Sequence, residues 1–286
     1  MTLTATCWGV RGSIATPGPA TVGYGGNTPC VALENAAGDT LILDAGTGIR
    51  PLGAALVARQ HRGRIDILLS HTHWDHIQGL PFFAPLYHPE FRIKVHGPAP
   101  DGTSLRSVLQ RQMDPVVFPV ALTRVAARLS VGELEPGRST VGPWQVDAVR
   151  LQHPGTTLGF RIRATPDSAG LSYLTDNELG ATEAGGLDPG WYQKLVQEVA
   201  GADVLIHDAM YDEATKPDRV GWGHSTPLEA VALARASGVR RLVLFHHDPD
   251  HDDAAVERLL AEARGAAAGK PDLEVLAARE GMALTL

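Results

Sequence analysis

Residues 68–79, LLSHTHWDHIQG, place three histidines and an aspartate within six positions, directly after the apolar run RIDILLS. A short apolar run of this kind is typical of a buried strand, so the polar group begins where the strand ends. His71 and His73 are two residues apart, and in an extended segment their side chains project to the same side. Asp75 and His76 follow where the chain is expected to turn into a helix. Imidazole and carboxylate ligands in this number suit zinc or a similar divalent ion, so the motif predicts half of a metal site.

Three further polar residues end apolar runs later in the chain. His153 ends VDAVRLQH, Asp176 ends LSYLTD, and His246 ends the apolar part of LVLFHHD. In α/β folds the ligand sites lie at the carboxyl ends of strands, so these side chains are candidates to complete the site. His247, next to His246, is an alternative to it in the same role.

The chain has 286 residues, of which 44% are hydrophobic and 20% charged, enough for one large α/β domain or two small ones. Its first part is rich in predicted strands, including a hairpin over residues 30–46. Strands then alternate with helices, among them a helix bounded by Thr226 as N-cap and Gly238 as terminator. This order predicts an α/β fold in a single domain over residues 1–286.

Composition excludes some classes of protein. The net charge of −7 argues mildly against a nucleic-acid surface, where a basic patch is expected. No uncharged apolar run reaches the length of about 18 residues that a membrane span needs, and the amino terminus lacks the apolar core of a signal peptide. The two cysteines, Cys7 and Cys30, form no metal-binding pair and no disulfide framework, so we expect a cytoplasmic protein.

The HTHWDH motif followed in order by His153, Asp176 and His246 resembles the metallo-β-lactamase fold superfamily, and the similarity covers essentially the whole chain. The resemblance implies a four-layer αβ/βα sandwich with two divalent metal ions at one edge of its sheets. Zinc suits the ligands, and manganese or iron is compatible with them. Carried over by position, the resemblance implies one metal held by His71, His73 and His153, a second held by Asp75, His76 and His246, and Asp176 bridging the two.

Two divalent ions about 3.5–4 Å apart can deprotonate a bridging water, which predicts a dimetal-dependent hydrolase with Asp75 in its catalytic centre.

The segments LIHDAMYDE and GWGHSTPLEAVALA resemble the "HEAT" and "GHST" segments of the tRNase Z-like phosphodiesterase branch. There a carboxylate–histidine pair protonates the leaving alkoxide, and the matching residues are Asp208 and His224. Asp208 stands where glutamate is usual, and its arm is one methylene shorter. The alternative is that His224 only belongs to the capping loop of the following helix.

The tRNA-processing members of that branch carry a long, basic, glycine-rich arm between the third histidine and the bridging aspartate. Here HPGTTLGFRIRATPDSAGLSYLTD joins His153 to Asp176 through a short hairpin, so a small or cyclic phosphodiester is the expected substrate rather than nucleic acid.

The competing interpretations are a lactonase, a thioesterase or a β-lactam hydrolase of the same fold, a redox di-iron protein, and a non-catalytic scaffold. Relatives are often dimers, so a homodimer is considered by analogy.

The opening segment WGVRGSIATPGPATVGYGGNTPC resembles the start of uncharacterised hydrolases of this branch. Its backbone N–H groups could contact phosphate oxygens, with Arg11 and Asn27 as substrate contacts. The alternative is a loop whose glycines serve only to turn the chain. Asp44 in LILDAG is expected to brace a metal ligand. His207 is expected either to have a structural role or to support a neighbouring residue of the site.

Overall fold

The computed structural model describes residues 3–165, 168, 170–180, 190–269 and 272–286. Among these residues the chain forms strands, α-helices and short 3-10 turns. The helices are α1 (Ile49–Ala58), α2 (Trp74–Ile77), α3 (Leu105–Gln112), α4 (Trp191–Val199), α5 (Pro227–Ser237) and α6 (Asp253–Ala267). The strands are β1 (Leu3–Gly9), β2 (Cys30–Asn35), β3 (Thr40–Leu43), β4 (Ile65–Leu68), β5 (Arg92–Gly97), β6 (Arg128–Glu133), β7 (Gly137–Val141), β8 (Trp144–Arg150), β9 (Leu158–Arg163), β10 (Leu171–Leu174), β11 (Val204–Asp208), β12 (Arg241–Phe245), β13 (Glu274–Ala277) and β14 (Ala283–Thr285).

The described strands form two seven-stranded mixed sheets, in the orders β14-β1-β2-β3-β4-β5-β6 and β13-β12-β11-β10-β9-β8-β7. Apolar side chains from both sheets, such as Leu43, Phe160 and Phe245, form the core between them. A second cluster lies between the first sheet and the helices α1 and α3, and a third between the second sheet and α4, α5 and α6. Helices therefore cover the outer face of each sheet, and the predicted four-layer αβ/βα sandwich is confirmed.

The parallel parts of the two sheets explain how residues far apart in sequence reach one place. Strands β3 and β4 are parallel neighbours in the first sheet, and β10, β11 and β12 are parallel neighbours in the second. Parallel neighbours end at the same edge of a sheet, where α/β folds place their ligand sites. The residues that end or follow these five strands are Asp44, His71, Asp176, Asp208 and His246.

Three of those strand ends have an unusual backbone conformation. Asp44 has a φ of 59°, Asp176 of 53° and His246 of 63°, all in the left-handed region that non-glycine residues rarely adopt. Such a conformation costs on the order of 1 kcal/mol and persists only where surrounding contacts enforce it. At each position the chain turns sharply as the strand ends, and the side chain meets the others at the sheet edge.

Several predicted local elements are confirmed, and some strands were missed. Strands β2 and β3 form the predicted hairpin. Helix α5 has the predicted capping box, in which Thr226 accepts from the Glu229 amide, and ends at Gly238 with a φ of 71°. Sequence patterns did not predict the four edge strands β6, β7, β13 and β14. Strands β6 and β7 contain few apolar residues, and β13 and β14 are only four and three residues long. No helix within the described residues is long and apolar enough to cross a membrane.

Candidate metal centre

The seven residues expected to bind metal lie together at the sheet edge, in two groups. In each group every residue offers a nitrogen or oxygen atom, and these atoms all lie within 4.8 Å of one another. The chain folds locally so that His71 and His73 follow β4 in extended conformation, while α2 turns Asp75 and His76 inward. The first group is His71, His73, His153 and Asp176, and the second is Asp75, His76 and His246.

Asp176 faces both groups. Its Oδ1 atom lies 3.1 Å from Nε2 of His76 and 3.1 Å from Nε2 of His246. Its Oδ2 atom lies 3.6 Å from Nε2 of His71 and 3.6 Å from Nε2 of His153. Ligands about 2.0–2.1 Å from a tetrahedral zinc ion are separated by about 3.3–3.4 Å, so these spacings suit a carboxylate that bridges two ions.

A buried nitrogen supports the same interpretation. Nε2 of His71 is buried and, within the described part of the chain, makes no hydrogen bond. The Ser70 hydroxyl donates to Asp44, so it accepts from Nδ1 of His71 at 3.0 Å and leaves Nε2 without a proton. An unpaired buried nitrogen costs free energy unless a ligand takes it up. The residues present therefore fit divalent metal ions.

Asp44, expected to brace a ligand, is fully buried and contacts His76. Nδ1 of His76 donates to Oδ2 of Asp44 at 2.9 Å, which directs Nε2 of the same ring toward Asp75 and Asp176. The Tyr173 hydroxyl also donates to Oδ2 of Asp44, at 2.8 Å. Such contacts fix the tautomer and the orientation of a metal-binding histidine. Tyr173 gave no signal in the sequence beyond its place on a strand that ends near Asp176.

The structure places His246, and not its neighbour His247, in the second group. Nε2 of His246 lies 3.2 Å from Oδ2 of Asp75. His247 points the other way, and its Nε2 donates to the carbonyl of Ala278 at 2.8 Å. His207, expected to be structural, is fully buried and donates from Nδ1 to the carbonyl of Asp208.

Burial and neighbouring charges set the protonation of the two groups. Burial lowers the pKa of His153 to about 4, so this imidazole is neutral and able to bind a metal. Burial alone would raise the pKa of Asp176, but the nearby His246 and His76 outweigh it and lower that pKa well below its usual range. Burial lowers and Asp176 raises the pKa of His246, with a net rise to about 9. Metal binding at His246 would release its proton.

Asp208 and His224 form a pair beside the second group. Oδ2 of Asp208 accepts from Nδ1 of His224 at 2.7 Å, so the shorter aspartate arm does reach the histidine. Oδ1 of Asp208 accepts from the Ser225 amide at 2.9 Å, which holds the carboxylate in place. The His224 ring stacks on that of His246, with centroids 5.1 Å apart and planes at 17°. His224 therefore lies at the centre, as well as preceding α5.

The loop that carries His224 is held by Glu178, a residue that the sequence analysis missed. The Glu178 carboxylate is buried and accepts from the amides of Gly221, at 3.0 Å, and Gly223, at 2.9 Å. Nζ of Lys216 donates to Oε1 of Glu178 at 3.0 Å and also to the carbonyl of His224. The only signal in the sequence is an acidic residue two positions after Asp176.

Arg11 and Asn27, expected to contact substrate, both make hydrogen bonds within the protein. The Arg11 side chain is fully buried, and it donates to the carbonyls of three residues: Gly25, Asp248 and His251. Nδ2 of Asn27 donates to Glu280 at 3.0 Å. These contacts hold the glycine-rich segment in place, and contact of either side chain with substrate stays a prediction. That segment reaches the centre through its backbone, because the Ser13 amide donates to Oδ2 of Asp75 at 2.8 Å.

Comparison with known proteins agrees with this geometry. The family described as the beta-lactamase superfamily domain matches residues 39–247. Ribonuclease BN of Salmonella paratyphi C (strain RKS4594) is 25% identical over 244 residues, covering 71% of this chain and 77% of that protein.

Solved structures with the same fold cover nearly the whole chain. The metallo-β-lactamase fold protein YhfI from Bacillus subtilis superimposes with a TM-score of 0.71 at 19% identity, over 100% of this chain and 99% of that one. The short form of human tRNase Z does so with a TM-score of 0.64 at 24% identity, over 98% of each chain. Yeast PDE1 has a TM-score of 0.70 at 16% identity, over 100% and 99%. The chain therefore belongs to the beta-lactamase superfamily domain family and is a hydrolase with the metallo-β-lactamase fold.

Proposed function

We propose that the chain is a metal-dependent phosphodiesterase that cleaves a small or cyclic phosphodiester. The observation that carries the proposal is the 2.7 Å contact of Asp208 with His224 beside the two metal-binding groups. A phosphodiester releases an alkoxide, which needs a proton, and a histidine supported by a carboxylate can deliver one near neutral pH. Esters with good leaving groups need this donor less, because their leaving anion is stable without a proton.

Two divalent ions, zinc by the chemistry of the ligands, would be held by the two groups that Asp176 joins. When bound, they would supply an activated water and positive charge for the phosphate oxygens. The groups are His71, His73 and His153 on one side and Asp75, His76 and His246 on the other.

The chain's own residues then have separate tasks. Asp208 accepts from Nδ1 of His224 and fixes the orientation of the ring, so that Nε2 is the nitrogen through which a proton passes to the leaving oxygen. The Ser13 amide and His246 hold Asp75 in place through its Oδ2 atom. Glu178 and Lys216 fix the loop on which His224 stands. Each of these contacts is formed before a substrate binds, which limits the reorganisation needed during reaction.

The segment between His153 and Asp176 supports a small substrate. Strands β9 and β10 pair directly, with Ile162 opposite Leu171, so the described part of this segment is a hairpin with little room for an inserted arm. The proteins that this chain resembles include one named a diphosphatase of the PhnP family and one named ribonuclease BN. Both names concern the cleavage of phosphate linkages, which supports a phosphodiester substrate.

The test compares two phosphodiesters that differ in leaving group. Metal-reconstituted protein is assayed with a 2′,3′-cyclic nucleotide and with bis-p-nitrophenyl phosphate, beside a p-nitrophenyl ester, a lactone and nitrocefin. Asp75→Ala is expected to abolish both phosphodiester activities. His224→Ala is expected to lower cyclic nucleotide cleavage about 10²–10⁴-fold and to affect bis-p-nitrophenyl phosphate less, since p-nitrophenolate leaves without a proton.

His88→Ala is the control, because His88 is a half-buried histidine whose side chain contacts Glu90 and Phe91 rather than any residue of the metal-binding groups. It should leave every activity unchanged. Turnover of the ester, the lactone or nitrocefin at a rate indifferent to His224, with little phosphodiester cleavage, would refute the proposal in favour of another hydrolase of this fold.

A further inference from the structure

A cluster of positive charge lies at the end of the first sheet opposite the metal centre. The amino ends of β4, β5 and β6 line a crevice of about 600 Å³ with their own residues and those that precede β4. We call it the basic crevice. Its charged and hydroxyl-bearing lining residues are Arg62, Arg64, Glu90, Arg92, Lys94, Arg128 and Ser130.

The strand register brings like charges together in the basic crevice. Arg92 on β5 is the direct partner of Arg128 on β6, and Lys94 stands two residues along on the same face. Like charges directly opposite each other in a sheet are destabilising. Within the residues that the structure describes, Arg92, Lys94 and Arg128 make no ion pair, whereas Arg64 is paired with the buried Asp66. Asp66 on β4 stands opposite Lys94, and Glu90 lines the crevice. Five basic side chains there therefore meet two carboxylates, which leaves a net positive charge in a chain whose net charge is −7.

We propose that the basic crevice binds a small anion with two or more phosphate groups. Guanidinium groups match phosphate oxygens in pairs. Apart from Arg64, which is paired with Asp66, three arginines beside a lysine can neutralise several negative charges. The Ser130 hydroxyl adds a neutral donor at the same opening. The volume lies within the range of small-molecule pockets, about 300–1,000 Å³. An anion bound here relieves the repulsion between Arg92 and Arg128. Anion binding therefore explains why two side chains of like charge stand opposite each other on neighbouring strands.

A small anion fits the surroundings better than a nucleic-acid strand. Glu90 lies at the crevice, and the chain as a whole is acidic, so an extended polyanion would meet repulsion beyond the crevice. The crevice is also separate from the metal centre. Arg64 precedes β4 and His71 follows it, and seven residues of extended chain span roughly 20 Å. The proposal therefore does not depend on the proposed function.

The experiment titrates metal-loaded protein with pyrophosphate by calorimetry at low salt, using the double variant Arg92→Gln/Arg128→Gln. The double variant Arg50→Gln/Arg258→Gln is the matched control, because it removes the same charge from exposed positions on α1 and α6. Pyrophosphate is expected to bind the crevice variant about tenfold more weakly than the native chain and the control. Any binding at the metal centre should persist in all three proteins, with hydrolytic activity unchanged.

Thermal unfolding at low salt gives a second measurement. Without pyrophosphate the crevice variant should unfold at the same or a higher temperature than the native chain, because the repulsion is removed. Added pyrophosphate should raise the melting temperature of the native chain more than that of the variant. Equal pyrophosphate affinity in all three proteins would overturn the proposal. So would binding of an unstructured oligouridylate, but not of pyrophosphate, that depends on Arg92 and Arg128, since this would make the crevice a nucleic-acid surface.

Discussion

The carboxylate of Asp208 lies 2.7 Å from Nδ1 of His224, although an aspartate arm is one methylene shorter than the glutamate usual at this position. Asp208 is the last residue of β11, and His224 stands just before α5. The amides of Met210 and Ser225 donate to Oδ1 of Asp208, so the carboxylate has one oxygen held by the backbone and one free for the histidine. The pair is therefore formed with the shorter side chain, and its carboxylate is held by two backbone amides.

Asp208→Asn should separate orientation from charge at this pair. The amide keeps the shape of the side chain but does not stabilise a charged imidazole. We expect cleavage of a cyclic phosphodiester to fall about 10²-fold, with a smaller loss for bis-p-nitrophenyl phosphate. Steady-state kinetics on both substrates, with metal content determined in parallel, checks this. Equal losses on the two substrates would mean that Asp208 acts mainly on the metal centre.

Metal stoichiometry should distinguish the bridging carboxylate from a ligand of one group. Asp176 faces both groups, whereas His153 belongs only to the first. The native chain is expected to hold two divalent ions, His153→Ala one, and Asp176→Ala fewer than one, as measured by elemental analysis after dialysis. Two ions retained by Asp176→Ala would contradict the bridging role.

Asp44→Asn should weaken metal binding without removing a ligand. Asp44 accepts the Nδ1 proton of His76, and an amide can present its own N–H there and turn the ring. Loss of such a partner typically costs 10–100-fold in metal affinity. Tyr173→Phe is the milder comparison, because it removes one donor to Asp44 and leaves the contact with His76 in place. Competition with a chromogenic chelator gives both affinities, and an unchanged affinity in Asp44→Asn would exclude this role.

Glu178→Gln should loosen the loop that carries His224. The carboxylate accepts two backbone amides and pairs with the Lys216 ammonium, and all of these atoms are buried or nearly so. Breaking a buried pair by changing one partner costs about 3–5 kcal/mol. We expect a lower free energy of unfolding in urea and slower cleavage of the cyclic substrate, at unchanged metal content. Lys216→Met should restore part of the stability when combined with Glu178→Gln, because no unpaired charge then remains.

Alkaline pH should destabilise the fold through Cys7. Burial raises the pKa of the Cys7 thiol to about 12, whereas an unfolded cysteine has a pKa of about 8.5. The contribution to stability is complete below pH of about 8.5 and is lost as pH rises toward 12, because the unfolded chain releases the thiol proton first. The free energy of unfolding should fall by up to about 1.4 kcal/mol per pH unit from this group. Cys7→Ala should show a shallower slope in urea titrations from pH 8 to 10, and an identical slope would contradict the assignment.

Local patterns predicted the elements that carry the site. The apolar run before His71, the hairpin of β2 and β3, and the caps of α5 each depend on residues adjacent in sequence, where propensity and hydrogen bonding decide the outcome. Strands β6 and β7 were missed because they contain few apolar residues and form only when neighbouring strands offer partners.

The substrate contacts predicted for Arg11 and Asn27 depended on where a glycine-rich loop lies, which local sequence does not specify. In the structure the Arg11 guanidinium meets three carbonyls, one of Gly25 and two from residues more than 230 positions away. Glu178 was missed for the same reason, since its partners Gly221 and Lys216 are about 40 positions distant. These contacts arise from long-range packing.

The sequence by itself determined the donor set and its local geometry. An imidazole pair at spacing two, followed by Asp75 and His76 in a helical turn, points to a metal in any context where the strand before it is buried. Only the tertiary structure decided that His246 rather than His247 completes the second group, and that Asp176 faces both groups. Those choices depend on left-handed turns at the ends of β10 and β12, which strain the backbone and persist because two packed sheets hold them.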